Sequence, residues 1–150
     1  MAATIMSVGN PSYPALRALQ EFIEREQPDV LCLQETKCSD DKFPLLEIKA
    51  AGYDCVLFGQ QSYNGVAILA RSECADLQRG NYEDQDGAHA RLLAGTFNDV
   101  RIVNVYIPNG QAVGSEKFEF KLDWMKRLRA FFDNSYQPDT PVILCGDFNV

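Results

Sequence analysis

Positive charge is scarce in this chain. Its 150 residues carry 14 Lys and Arg against 21 Asp and Glu, which gives a formal net charge of −7. A protein that coats nucleic acid without regard to sequence normally has the opposite sign. The composition therefore argues against a non-specific nucleic-acid coat. It does not exclude a local basic groove beside an acidic metal site.

Long apolar runs and paired cysteines are also missing. No apolar run approaches the roughly 18 to 20 residues that span a bilayer, and no signal peptide is visible at the N-terminus. We therefore expect a cytoplasmic protein without a membrane partner. The five cysteines include no C-x-x-C pair, and their number is odd. A zinc site or disulfide framework is disfavoured, and Cys32 and Cys145, inside apolar runs, are expected to be reduced core thiols.

The order of predicted helices and strands is typical of a layered α/β domain. Apolar residues at helical spacing predict helices over residues 16–26, 45–51 and 116–132, the last with Phe120, Trp124, Leu128 and Phe131 on its apolar face. Gly52 closes the second helix. Strands are predicted over residues 30–33, 55–58, 66–70, 92–97, 101–107 and 141–145, with a tight turn at Asn98-Asp99.

Polar side chains follow several of these strands directly. Glu35 follows residues 30–34, Tyr106 ends the strand that begins at residue 101, and Asp147 and Asn149 follow the last strand. The ends of strands are where α/β scaffolds place their active sites. Each residue also has an ordinary structural explanation: a surface carboxylate, an edge aromatic, or a turn.

Together these four residues suggest metal-assisted chemistry on a phosphoester. Glu and Asp carboxylates with an Asn carbonyl form a hard oxygen site suited to Mg²⁺ or Mn²⁺. Such an ion stabilises charge during phosphoester hydrolysis. A neighbouring Asp can activate the attacking water, an Asn amide can donate to the phosphoryl oxygens, and a Tyr hydroxyl can contact the phosphate or leaving oxygen.

Four sequence blocks resemble bacterial exonuclease III and its abasic-site endonuclease relatives. They read P-D-V-L-C-L-Q-E-T-K at 28–37, Y-N-G-V-A-I-L-A-R at 63–71, V-N-V-Y-I-P-N-G-Q-A-V-G-S-E-K-F-E-F-K at 103–121 and L-C-G-D-F-N at 144–149. The long third block separates this branch from sphingomyelinase-like and inositol-phosphatase-like relatives. The resemblance implies the endonuclease/exonuclease/phosphatase fold.

The resemblance also implies residue roles. Glu35 matches the family's metal ligand, and Tyr106 matches its active-site tyrosine. Asp147 and Asn149 match the carboxylate that activates water and the amide that stabilises phosphate, and both are predicted to lie at the metal with Glu35.

Arg91, Asn109 and Lys121 fall in stretches that resemble DNA-contacting segments. The implied cofactor is Mg²⁺ (or Mn²⁺), and the implied substrate is double-stranded DNA with abasic sites or 3′ ends. The family cleaves 5′ to abasic sites and trims 3′ ends, which implies an exodeoxyribonuclease III-like hydrolase of base-excision DNA repair.

The resemblance places this chain in the N-terminal half of the family's fold. It implies the first half of a four-layered α/β sandwich, with one mixed, mostly antiparallel β-sheet and its covering helices. We expect residues 1–150 to form a domain that is incomplete at the C-terminus, without the second sheet or the family's Asp–His pair. Residues 66–69, 92–97 and 102–105 should then expose an apolar face, leaving the chain unstable or self-associating.

Two positions depart from the family pattern. The family opens with W-N-V-N-S-I-R-A-R, whereas residues 6–15 read M-S-V-G-N-P-S-Y-P-A. Ungapped counting places Val8 at the family's first Asn, and a two-residue gap places Asn10 there. His89 is the only histidine, and its D-G-A-H-A-R context is not that of the family's catalytic His, so it is interpreted as an ordinary loop residue.

Three hypotheses remain open from the sequence. The first is a metal-dependent nuclease, of which this chain is a truncated and weakly active or inactive form. The second is a non-catalytic fragment of the same fold that binds DNA or a protein partner. The third is a phosphatase or phospholipase of the same superfamily, which the third block disfavours.

Overall fold

The computed structural model describes residues 3–7, 13–81 and 89–150, with residues 3–7 and 13–14 described by their backbone alone. The strands are β1 (Ala3–Ser7), β2 (Val30–Gln34), β3 (Asp54–Phe58), β4 (Val66–Ala70), β5 (Ala75–Arg79), β6 (Leu92–Phe97), β7 (Val100–Tyr106) and β8 (Val142–Asp147). The helices are α1 (Tyr13–Glu26), α2 (Leu45–Ala50) and α3 (Glu116–Ser135), with a short 3₁₀ turn at Asp40–Lys42.

The strands form two four-stranded sheets, ordered β1-β2-β4-β3 and β5-β6-β7-β8. Each contains one parallel pair, β1 with β2 and β7 with β8, and is otherwise antiparallel. The predicted α/β class and the mixed, mostly antiparallel pairing are confirmed. The expectation of a single sheet is wrong, because β5 to β8 pair with one another and form a sheet of their own.

Three apolar clusters define four layers. One cluster packs α1 and α2 against the outer face of the first sheet, including Leu19 and Ile23. A second lies between the sheets and includes Cys32 and Cys145. The third packs α3 against the outer face of the second sheet. The chain thus has a helix–sheet–sheet–helix arrangement, in which β2, β4, β6 and β7 are largely buried while β5 and much of β8 remain exposed.

The predicted exposed apolar face is not observed. The side chains of β4 and those of Ile102, Val103 and Val105 are at most 1% exposed. Alternate residues turn to opposite faces, so Leu93 packs between the sheets while Leu92 packs under α3. Ile143 and Leu144 of β8 nevertheless remain 36% and 38% exposed, and the expected instability stays a prediction.

Local chemistry explains how α3 starts. The Ser115 hydroxyl caps the helix by accepting a 3.1 Å hydrogen bond from the Phe118 N–H, which satisfies one of the free donors of the first turn. Trp124 is buried on the inner face, as predicted, but Phe120 is 39% exposed. Lys121 is buried in its place, at 8% exposed.

The two predicted turns are confirmed by backbone geometry. Gly52 follows α2 with a φ of +86°, which glycine adopts without steric cost. Asn98 and Asp99 join β6 to β7 with φ values of 47° and 64°, the left-handed pair of a two-residue hairpin turn. Within the described ranges, no helix is both long and apolar enough to cross a membrane.

Candidate active site

The site lies where β2, β7 and β8 end at the same end of the sandwich. Tyr106 and Asp147 are the last residues of β7 and β8 and are partners in the parallel register. Glu35 directly follows β2, in the other sheet. The Glu35 carboxylate lies close enough to Tyr106 to raise the pKa of its hydroxyl. The residues converge as predicted, but across two sheets rather than at the edge of one.

Tyr106 is held in its neutral form by its surroundings. Partial burial raises the pKa of its hydroxyl above the ordinary value, and the charge and hydrogen bond of Glu35 raise it further. The Asp147 carboxylate acts in the same direction, while the Arg91 guanidinium lowers the pKa of Tyr106. Both carboxylates therefore act on this hydroxyl, and they favour a phenol that donates a proton in a hydrogen bond.

Lys37 is a partner that the sequence analysis overlooked. Its Nζ lies 2.7 Å from Glu35 Oε2. The hydrogen bond and the charge of Glu35 raise the pKa of Lys37. Glu35 and Lys37 both have positive φ values, of 57° and 51°. The signal was present in the Q-E-T-K block, where the two residues are two positions apart.

A loop at residues 60–65 ties this segment to Arg91. Its carbonyls at Gly65 and Asn64 accept the N–H groups of Thr36 and Lys37 at 3.2 and 2.9 Å. On its other side, the Gly65 N–H donates to the Ala90 carbonyl at 2.9 Å. Glu35 and Arg91 are therefore anchored to the same loop.

Arg91 lies over the Tyr106 ring. Its guanidinium carbon is 4.8 Å from the ring centroid, and its Nη1 donates to the Tyr106 carbonyl at 3.0 Å. Burial lowers the pKa of Arg91 from its ordinary value, and its Nε has no hydrogen-bond partner in the described part of the chain. The stack fixes the ring from one side, and the Arg91 Nε is itself buried beneath the surface.

A tight turn after β8 carries Asp147 and Asn149. The Asn149 N–H donates to Asp147 Oδ1 at 2.9 Å, and Asn149 Nδ2 donates to the Ile107 carbonyl at 2.8 Å. Asn109 Nδ2 approaches Asn149 Oδ1 at 3.5 Å, at the limit of hydrogen bonding. The turn thus connects the ends of β7 and β8 and brings Asn109 to the rim of the site.

Lys121 is not directed outward. Its Nζ donates to the carbonyls of Asn149 at 2.7 Å and Phe148 at 3.3 Å. Contact with DNA stays a prediction for Arg91, Asn109 and Lys121. The ammonium of Lys121 is already hydrogen-bonded to carbonyls of the turn after β8.

The donor set at this end of the molecule suits a hard cation. Glu35 and Asp147 offer carboxylate oxygens and Asn149 an amide oxygen, the ligands that Mg²⁺ and Mn²⁺ prefer. The described residues contain no group of three or more His, Cys, Asp and Glu arranged to hold a metal. Such a site would fit an ion that keeps several of its waters and is completed by substrate.

The remaining sequence expectations concern His89, the cysteines and the N-terminus. His89 is exposed and meets the ring of Phe120 edge-on, with centroids 6.0 Å apart, and nothing in this contact assigns it a role. The five cysteines are free, and the sulfurs of Cys32 and Cys145 lie 3.5 Å apart between the sheets. Val8 and Asn10 lie outside the described residues.

Comparison with known proteins identifies the family of this fold and site. The model of the Endonuclease/Exonuclease/phosphatase family matches residues 8–150. The chain belongs to this family. Exodeoxyribonuclease III of Haemophilus influenzae is 31% identical over 137 residues, covering 88% of this chain and 51% of that protein. The DNA repair nuclease APEX1 of Danio rerio is 28% identical over 134 residues, covering 87% of this chain and 43% of that protein.

Solved structures of the Endonuclease/Exonuclease/phosphatase family agree with the fold. A 3′ phosphatase from Neisseria, solved with a product DNA hairpin, is 36% identical with a TM-score of 0.93. An AP endonuclease from Archaeoglobus fulgidus is 30% identical with a TM-score of 0.93. Each comparison covers 100% of this chain and 58% of the other chain. The chain spans about half the length of the curated relatives described above.

Proposed function

We propose that this chain carries the N-terminal part of a Mg²⁺-dependent DNA-repair nuclease that hydrolyses phosphodiester bonds at abasic sites and 3′ ends of double-stranded DNA. The observation that carries the proposal is the convergence of Glu35, Tyr106 and Asp147. Two carboxylates and a protonated phenol from separate sheets meet at one end of the sandwich. The proposal also draws support from the DNA-processing names of the relatives.

Glu35, Asp147 and Asn149 would hold the divalent cation through their oxygens. When bound, the ion would stabilise the negative charge that develops on the phosphoryl group. Asp147 is proposed to orient and deprotonate the attacking water, which requires a carboxylate that is ionised at neutral pH. The Asn149 amide is proposed to donate to the phosphoryl oxygens with the N–H that Ile107 does not occupy.

Tyr106 is proposed to donate its proton in a hydrogen bond to the phosphate or the leaving oxygen. A tyrosine hydroxyl is protonated at neutral pH, and the raised pKa of Tyr106 extends this protonated form to higher pH. In the described arrangement, the Glu35 carboxylate is close enough to raise the pKa of this hydroxyl. Substrate would compete with Glu35 for the Tyr106 hydroxyl, and the cation would compete with Tyr106 for the Glu35 carboxylate. Until they bind, Lys37 provides the positive charge beside Glu35.

Arg91 and Asn109 are proposed to contact the DNA backbone. Asn109 is exposed at the rim beside Asn149. Both side chains have N–H groups that can donate hydrogen bonds, and the guanidinium of Arg91 is already fixed over the Tyr106 ring. Phosphate oxygens accept such hydrogen bonds, and these contacts position the duplex without reading its sequence.

The direct test uses residues 1–150 and an end-labelled duplex with a single abasic-site analogue, with Mg²⁺ or with a chelator. We expect cleavage 5′ to the lesion that needs the cation. Asp147→Ala and Glu35→Gln should each reduce the rate by about 100-fold or more, as expected for loss of a general base or a metal ligand. Glu47→Gln is the matched control, because Glu47 is an exposed carboxylate on α2.

The outcome separates the hypotheses left open by the sequence. Cleavage that survives Asp147→Ala or the chelator would contradict the site assignment. Tight binding of the duplex without cleavage would favour the non-catalytic alternative. Hydrolysis of phospholipid vesicles or small phosphomonoesters, with no action on DNA, would favour the third hypothesis.

A further inference from the structure

Lys121 is a buried cation close to the proposed catalytic residues. Its side chain is 8% exposed on the inner side of α3. Lysines are almost never buried to this degree unless their ammonium group is paired. Here the ammonium donates to two main-chain carbonyls, those of Phe148 and Asn149, at 3.3 and 2.7 Å. Such charge-assisted hydrogen bonds are stronger than those between neutral groups.

The two carbonyls belong to the turn that carries Asp147 and Asn149. This turn needs fixing, because Asn149 has a φ of 49° in the left-handed region, which few residues other than glycine and asparagine occupy. The hydrogen bonds from Asn149 to Asp147 and Ile107 define the turn from the β7 side. The hydrogen bonds from the Lys121 ammonium fix the turn from the side of α3. The turn is therefore held by both the helix and the sheet.

The stem of Lys121 is covered as well. A Cβ added at Gly110 would lie 3.2 Å from its Cδ and 3.0 Å from Cδ2 of Phe118. The loop after β7 therefore packs on the aliphatic part of the lysine. A phosphate group outside the protein would have to displace this loop or draw the ammonium away from its two carbonyls.

We propose that Lys121 is a positioning residue, whose buried ammonium holds the Asp147–Asn149 turn in place and makes no contact with DNA phosphate. As far as catalysis is concerned, the inference rests on the proposed function. It assigns to Lys121 a different role from the DNA contact implied by sequence resemblance. The sequence shows that residue 121 is a lysine, but it does not show which groups its ammonium contacts.

The two roles predict different salt dependence. A lysine that neutralises a phosphate contributes about one unit to the slope of log binding constant against log salt concentration. A positioning lysine contributes nothing to that slope. Its loss should instead lower kcat, since displacement of a catalytic group by about 1 Å can cost about 100-fold.

The experiment compares Lys121→Met, Lys121→Arg and the control Lys126→Met in the full chain. Met keeps the length and apolar character of the stem without the ammonium, and Lys126 is exposed on the same helix. Three quantities are measured: the salt dependence of abasic-duplex binding by fluorescence anisotropy, kcat and KM for cleavage, and the exchange rate of the Asn149 amide hydrogen by NMR.

For Lys121→Met we expect an unchanged salt slope, an unchanged KM, kcat lower by about 100-fold and faster exchange of the Asn149 amide. Lys121→Arg, which keeps the charge, should recover most of kcat and of the protection. Lys126→Met should leave kcat and the Asn149 amide exchange unchanged. If Lys121→Met does not fold, Lys121→Gln takes its place: it lacks the charge but keeps an N–H donor for the two carbonyls, so its salt slope and the Asn149 exchange rate decide between the two roles.

A slope that falls by about one unit with unchanged amide exchange would overturn the inference in favour of phosphate contact. Unchanged kcat and unchanged exchange in Lys121→Met would overturn it too. If the wild-type chain neither binds nor cleaves abasic DNA, the proposed function fails, whereas binding without cleavage is also what a truncated, inactive form of the nuclease would show. The exchange rate of Asn149 then decides whether Lys121 holds the turn, independently of catalysis.

Discussion

Gln34 Nε2 donates a 2.7 Å hydrogen bond to Asn104 Oδ1 across the interface between the two sheets. Both side chains are 0% exposed. Asn104 Nδ2 in turn donates to the carbonyls of Leu33 and Ala67 at 2.9 and 3.0 Å. Gln34 directly precedes Glu35, and Asn104 lies two residues before Tyr106. This buried polar bridge therefore connects the strands that deliver the two halves of the site.

Asn104→Val should lower the free energy of unfolding by about 2–4 kcal/mol. The substitution removes an acceptor and two donor hydrogen bonds in a dry interface and leaves Gln34 Nε2 unpaired, and an unsatisfied buried polar group costs about 1–3 kcal/mol. Urea unfolding followed by tryptophan fluorescence measures the change. The chain has one tryptophan, Trp124, packed under the second sheet.

The double variant Gln34→Leu with Asn104→Val tests the cause. If the cost comes from the unpaired Gln34 amide, replacing both partners should recover part of the loss, which appears as an interaction energy in the double-mutant cycle. Strict additivity of the two single changes would show that the bridge is not an energetic unit.

Tyr106 should titrate above its ordinary pKa of about 10. The difference in alkaline ultraviolet titration between wild type and Tyr106→Phe isolates this phenol from the other five of the six tyrosines. Glu35→Gln should bring the pKa of Tyr106 down, because it removes the negative charge. It should stay above the ordinary value, since burial is the largest cause of the shift. A pKa at or below the ordinary value in wild type would contradict the environment described for the site.

The same shift has a consequence for stability at alkaline pH. A folded-state pKa above the unfolded value means that the native protein binds the proton more tightly. The stabilisation from Tyr106 is therefore fully present below about pH 10 and is lost as the pH rises through the folded value. Tyr106→Phe should reduce this alkaline decline in thermal stability, while Tyr63→Phe, at an exposed tyrosine, should leave it unchanged.

Gly146→Ala should separate β7 from β8. Gly146 has a φ of +141°, and a Cβ there would lie 1.9 Å from the Val105 carbonyl oxygen on the neighbouring strand. Main-chain atoms in a ladder cannot yield cheaply, so we expect a loss of about 3 kcal/mol together with displacement of Asp147. Thermal melting and abasic-DNA cleavage measure the two effects.

Gly52→Ala is the matched control for that change. Gly52 also has a positive φ, +86°, but a Cβ there would meet nothing within 4 Å. Only the backbone strain remains, at about 1 kcal/mol. Equal losses at the two positions would show that the close approach at Gly146 is not what makes a side chain unacceptable there.

Removal of divalent cations should leave the fold intact while it stops cleavage. The negative charge of Glu35 is already balanced by Lys37, so the native state does not depend on an ion for neutrality. A cation present at its dissociation constant stabilises by only about 0.4 kcal/mol. Thermal melts with a chelator and with Mg²⁺ should nearly coincide, and a large increase in melting temperature with Zn²⁺ would contradict the oxygen site.

The sequence by itself determined the local elements and the chemistry carried at their ends. Residues 66–70 and 92–97 are strands with the bounds that were predicted. They are continuous apolar runs, and such runs reflect burial on both faces. The end of the strand before Glu35 and the turns at Gly52 and Asn98-Asp99 were likewise fixed by short-range preferences, which need no knowledge of distant residues.

Only the tertiary structure decided which strands share a sheet and where charged side chains point. Strand periodicity says nothing about pairing partners, so one sheet was expected where β5 to β8 form a second. β5 was missed because it is a short edge strand whose side chains are mostly exposed, and its sequence contains no β-branched or aromatic residue. Lys121 was predicted to bind DNA, and its main-chain partners could not be predicted because these carbonyls lie 27 and 28 residues away in the sequence. Every residue has a main-chain carbonyl, so the sequence does not show which carbonyls will accept a hydrogen bond from this lysine. Only the packing of α3 against the turn brings these two carbonyls to the ammonium group.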